Sequence, residues 1–119
     1  MAVLNVYKKD DIKIDYFDRV DMFSLMKDKK KIWLTTTSLQ IVFTLLTSEV
    51  EYECVLVDQN GDHVEIVKLV NNFVLTSPTR KKSTHFIIPS HVFQEIFSRF
   101  ETVLDAIYAI KMKNLNNIS

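Results

Sequence analysis

Residues Val50–Val70 read VEYECVLVDQNGDHVEIVKLV, two runs of alternating apolar and polar residues on either side of Asn60-Gly61. Alternation with a period of two sends one set of side chains to each face of an extended strand. Asn-Gly is the dipeptide favoured by a type I′ turn, in which both central residues take positive φ. With Asn60 and Gly61 at the turn centre, Glu53 faces Lys68, Val55 faces Ile66, Val57 faces Val64 and Asp58 faces His63. One ion pair and two β-branched pairs stabilise such a hairpin by roughly a few tenths of a kcal/mol each. An antiparallel sheet is therefore the frame on which the other segments are placed.

Toward the C-terminus, Asn71-Asn72 marks a turn, Phe73–Thr76 a third strand and Thr84–Ile88 a fourth, joined by SPTRKKS at Ser77–Ser83. Pro89-Ser90 ends the sheet, and Ser90 is placed to cap a helix. From His91 onward Val92, Phe93, Ile96, Phe97, Phe100, Val103, Leu104, Ile107, Tyr108 and Met112 recur at helical spacing. They form one continuous face over about 23 residues, or ~35 Å of helix. The residues from about 114, NLNNIS, read as a polar tail.

Toward the N-terminus, Val3–Tyr7 and Ile12–Ile14 suit two short strands about a turn at Lys8–Asp11. Phe17, Val20, Phe23, Leu25 and Met26 fit the period of a short helix, with Asp15 as its N-cap. Ile32–Thr37 is β-branched and aromatic, which suits a strand. Leu39–Thr47 fits a short helix, with a second strand as the alternative, and the hydroxyl run Thr35–Ser38 supplies the break and the cap. The expectation is an α+β fold in a single domain over residues 1–119: an antiparallel sheet of four to six strands, one or two short helices, and a long C-terminal amphipathic helix packed across the sheet.

Composition excludes several chemistries. The chain has one glycine, Gly61, whereas a Walker loop, a dinucleotide fingerprint and a nucleophile elbow each need at least two. The single cysteine, Cys54, forms no internal disulfide and alternates onto a face with Leu56 and Val67, as a small apolar residue does. His63, His85 and His91 have no metal-ligand spacing, and the Asp58–His63 pair sits beside a turn, where exposed polar pairs are ordinary. Asp58–Asp62 lacks the glycine phase and closing Glu of a calcium loop. No catalytic residue, metal or cofactor is expected, so the chain reads as a non-enzymatic protein. Its N-terminus has no signal-peptide core, and Leu39–Leu46 is far short of the roughly 20 apolar residues that span a bilayer. The expected setting is cytoplasmic, with no membrane partner.

Two functional readings follow. The first is a protein-interaction module: an adaptor, regulator or inhibitor, with self-association as a homodimer as one form. Phe93, Phe97, Phe100, Leu104, Ile107 and Tyr108 are its interface, because the helix carries more apolar surface than one face of a small sheet covers. The alternative is a small nucleic-acid-binding regulator with Arg80, Lys81 and Lys82, together with Lys29, Lys30 and Lys31, on phosphates. With 15 basic and 15 acidic residues the formal charge is zero. That ranks the alternative second, since phosphate binding draws its affinity from positive charge.

Overall fold

Residues 3–48, 53–59, 62–77 and 84–118 are described by a computed structural model; for residues 53, 54, 56–59, 62 and 116–118 the backbone alone is described. Strands β1 (Val3–Lys9), β2 (Ile12–Phe17), β3 (Met22–Lys27) and β4 (Lys30–Leu34) form one antiparallel meander. Helix α1 (Thr36–Leu46) follows. A second four-stranded meander is made by β5 (Glu53–Gln59), β6 (Asp62–Lys68), β7 (Asn72–Ser77) and β8 (Thr84–Pro89), and the chain ends in α2 (Ser90–Ser98) and α3 (Phe100–Ile118). The class is α+β as expected, with eight strands among the described residues shared between two sheets of four.

The β5–β6 register matches the sequence reading pair for pair: Glu53 with Lys68, Val55 with Ile66, Val57 with Val64 and Asp58 with His63. The turn centre, Asn60-Gly61, lies outside the described residues, as does the side chain of Cys54. Helix α1 forms where a helix is expected at Leu39–Thr47, but it starts at Thr36, so Thr36 and Thr37 belong to it rather than to the expected strand Ile32–Thr37, which ends at Leu34. Thr35 is its N-cap, and its side-chain oxygen accepts from the Ser38 backbone N–H at 3.1 Å.

The expected early helix is absent, and Tyr16–Met26 is instead the second hairpin of the first sheet. Tyr16 and Phe23 are register partners with ring centroids 5.2 Å apart, so the apolar residues that fit a helical period meet across two strands. The turn between them is closed by Asp21 at φ 53° and an Asp21 N–H to Asp18 carbonyl bond of 3.3 Å. Asp tolerates the left-handed region because its short polar side chain bonds locally.

The C-terminal helix is also not continuous. It breaks at Arg99 (φ −125°, ψ 18°), whose guanidinium donates to the Val6 carbonyl in β1. Pro89 rather than Ser90 holds the cap position of α2, without a side-chain bond, and the Ser90 N–H goes to the Asn71 carbonyl at 2.9 Å. The polar segment from 114 continues α3 to Ile118. Two contacts tie the helix to the β2–β3 turn: Lys111 pairs with Asp21 at 3.2 Å, and the Asn114 side-chain amide donates to Asp18. Asp21 also accepts from the buried Tyr16 hydroxyl at 2.5 Å, which holds its carboxyl below the usual range, with Lys111 adding to the effect. Burial, followed by that hydrogen bond, pushes the Tyr16 phenol up.

One core joins the inner faces of both sheets. Ile14, Tyr16, Phe23, Leu25 and Ile32 come from the first, Ile66, Phe73, Leu75 and Ile88 from the second, and Val42, Phe93 and Ile96 from the helices. The Phe73 and Phe93 rings meet edge-on at 5.3 Å. Edge strand β4 lies beside edge strand β8, so the two sheets adjoin there.

Candidate nucleic-acid interface

Alternation in the first sheet sends the core residues inward and leaves an outer face that the register divides into rows. Lys8, Lys13, Met26 and Lys31 are successive partners across the four strands. The next row is Asn5, Asp15, Ser24 and Trp33, and the one beyond it pairs Phe17 with Val3 and Met22. Rows two residues apart along a strand are separated by ~6.7 Å. The sheet thus carries a line of lysines beside a line of aromatic and polar groups.

The rings converge although their strands do not touch. Phe17 on β2 and Trp33 on β4 meet edge-on at 5.3 Å across the intervening β3. Both are half-buried, and the Lys31 ammonium lies 5.1 Å from the Trp33 ring centroid and 5.8 Å from that of Phe17. Cation–π attraction of this kind holds a cation against an aromatic face. Ser24, the register partner of Trp33, is small enough to let the rings approach. Its buried hydroxyl has no hydrogen-bond partner among the described residues. Beside it the buried Asp15 accepts from Asn5 at 2.9 Å and pairs with Lys13 at 3.4 Å.

At the end of the lysine row, the β3–β4 turn holds Asp28 at φ 51° and Lys29 at φ 68°, both positive as a type I′ turn requires. The usual occupants are Asn and Gly. Of the described non-glycine residues at positive φ, Lys29 is the one that is not Asp. Lys27, before the turn, donates from Nζ to the Ile87 carbonyl of β8 at 2.7 Å. Lys27 therefore lies against the strand that follows SPTRKKS. Arg80, Lys81 and Lys82 themselves lie outside the described residues. Lys29, Lys30 and Lys31 are all exposed, Lys31 on the outer sheet face.

The proposed interface of the last helices divides into two sets. Phe93 has no exposed surface, and Phe100 and Ile107 are also in the core, so these three are not available at a surface. Phe100, just after the break, packs on Phe43 at 4.8 Å and on Phe23 at 6.4 Å. Phe97, Leu104 and Tyr108 stay exposed, at 51%, 37% and 66%. Exposed Met112 and Leu115 extend that line along α3. His63, His85 and His91 sit on three different elements, and no cluster of three or more metal-ligating side chains occurs among the described residues. No helix among them is long and apolar enough to cross a membrane.

Zero net charge hides a segregation of charge along the chain. Residues 49–65 carry six acids and no lysine or arginine, while 27–31 reads KDKKK and 80–82 reads RKK. The ring pair was hidden for a different reason: Phe17 and Trp33 meet only once the meander register is known.

No family model matches the chain, and no curated protein matches it. Among solved structures the chain is similar to a crystal structure of a protein of unknown function from the DUF155 family of Prochlorococcus sp. NATL2A. The two are 8% identical, the match covers 85% of this chain and 98% of that one, and the TM-score is 0.45.

Proposed function

We propose that the protein is a non-enzymatic, single-stranded nucleic-acid-binding module that uses the outer face of its first sheet. The observation that carries this reading is the Phe17–Trp33 ring pair lying beside the row of Lys8, Lys13 and Lys31. Bases stack on the rings and phosphates lie along the lysines. Stacking needs the open π-face of an unpaired base, so single strands are preferred over duplex. Ser24, the register partner of Trp33, adds a buried hydroxyl without a hydrogen-bond partner among the described residues, a polar group of the kind that binding sites retain.

Fluorescence-anisotropy titration of single- and double-stranded oligonucleotides, at low and moderate salt, tests the proposal. The expected result is preferential single-strand binding that weakens with salt. Trp33→Ala should cost about 1–3 kcal/mol, the usual value of one stacked base. Absence of binding at low salt, or binding indifferent to Trp33→Ala and Lys13→Ala together, sinks the reading.

A second reading, association with another copy of the chain, rests on the exposed line Leu104, Tyr108, Met112 and Leu115 of α3. The acids of this helix, Glu101 and Asp105, precede its bases, Lys111 and Lys113, so an antiparallel copy opposes unlike charges. Light scattering that gives the monomer mass at tens of micromolar retires it.

A further inference from the structure

Lys27 and Lys30 are register partners that close the β3–β4 hairpin. By alternation they project from the opposite face to Met26 and Lys31, toward the second sheet. There the hairpin and β8 bound an open cleft of about 190 Å³ lined by Lys27, Asp28, Lys30, His85, Phe86 and Ile87. Two ammonium groups stand against one carboxylate, and the His85 imidazole adds a further donor. An apolar cavity of ~150 Å³ accepts a benzene ring, so this space accommodates a phosphate with its ester oxygens. Lys30 and His85 are both exposed and reachable, whereas Lys27 is engaged with the Ile87 carbonyl.

We propose that this cleft is a second, phosphate-binding subsite for the nucleic acid held on the outer sheet face. The oligonucleotide leaves the ring pair beside Lys31, passes over the hairpin tip at Lys29, and sets a phosphodiester between Lys30 and His85. Consecutive residues on β4 put Lys30 and Lys31 on opposite faces, so a chain wrapping the tip meets a cation on each side. The strained turn fits this path: Lys29 stands at φ 68° at the tip, where glycine would relieve the backbone but offer no charge. The subsite rests on the single-strand reading above and fixes the direction in which the bound strand extends.

The test is anisotropy with oligothymidylates of about four and about twelve nucleotides, within the range of known single-strand sites. Wild type, Lys30→Ala, His85→Ala, Lys30→Arg and Trp33→Ala are compared. Lys30→Ala and His85→Ala should bind the short oligonucleotide as wild type does and the long one several-fold more weakly. The salt slope of Lys30→Ala on the long one should fall by about 0.7, the value of one lost phosphate contact. Lys30→Arg should restore it. Equal losses on both lengths, or none on either, overturn the subsite while Trp33-dependent short binding keeps the single-strand reading. Failure of wild type to bind either length overturns both. A free-phosphate site shows itself otherwise: inorganic phosphate at matched ionic strength raises the melting temperature of wild type but not of Lys30→Ala, and long-oligonucleotide affinity ignores the substitution. That result also overturns the proposal.

Discussion

Single residues at positive φ explain how a chain with one glycine makes so many tight turns. Asp10, Asp21 and Asp28 take the left-handed conformation, and Lys29 joins them without an Asp side chain's local hydrogen bonding. A non-glycine residue there costs roughly 1–2 kcal/mol, and glycine in its place gives back up to ~1 kcal/mol through the entropy of the unfolded chain. Lys29→Gly should therefore stabilise the fold by about 0.5–1 kcal/mol in urea denaturation while reducing oligonucleotide affinity; an unchanged midpoint would remove strain as the description of this turn. Tyr16 makes a second prediction. Its hydrogen bond holds the Asp21 carboxyl below the usual carboxylate range, so the stabilisation is complete above the unfolded pKa and lost as pH falls through the folded one. Tyr16→Phe should lower the melting temperature most near neutral pH, and the gap to wild type should narrow as pH falls through the lowered Asp21 pKa. A gap that stays constant with pH would mean that the hydroxyl acts by packing alone.

Helices and strands differ in how plainly their sequences announce them. The β5–β6 hairpin was legible to the register because Asn-Gly fixes the turn and alternation fixes the faces. Tyr16–Met26 was not, because a few apolar residues about a four-residue turn satisfy a period of 3.6 as well as of 2. The turn there is Asp18–Asp21, which carries no glycine or proline to announce it. The lysines at 29–31 were legible as charge, but their partnership with Phe17 and Trp33 depends on a meander that sequence periodicity had written partly as helix. In the last helices the apolar positions are helical as their spacing implies, and the chain breaks at Arg99 between α2 and α3. Phe93 and Phe97 are neighbours one turn apart on α2 with opposite fates. Phe93→Ala should cost about 3–5 kcal/mol, as truncation of a buried ring does. Phe97→Ala should cost about 1 kcal/mol, chiefly its ring contact with Phe43 at 5.2 Å. Equal losses in urea denaturation would contradict the division of this stripe into core and surface.

At the scale of the whole molecule, zero net charge conceals an uneven field. Of the acidic run 49–65, Glu53 and Asp58 lie on β5 and Asp62 and Glu65 on β6, and β5 is the edge strand of the second sheet farthest from β8. The lysine row lies on the other sheet, which meets β8 through β4. Charges separated by more than about 8–10 Å at physiological ionic strength are largely screened from one another, so acids farther than that from the row do not cancel its attraction for phosphate. Single-strand binding loses about 0.7 in log K per phosphate contact for each tenfold rise in salt. Contacts from Lys8, Lys13 and Lys31 then predict a slope near −2 for a short oligonucleotide. Lys13→Gln should bring the slope up by about 0.7, although Asp15 already shares that ammonium at 3.4 Å. Glu65→Gln, which removes an exposed acid from β6, should leave the slope where it was. The comparison separates a local phosphate track from a response to overall charge, because both substitutions change net charge by one unit. If Glu65→Gln alters binding as much as Lys13→Gln does, the field of the whole protein and not the row on the first sheet governs the interaction, and the assignment of phosphates to that face fails.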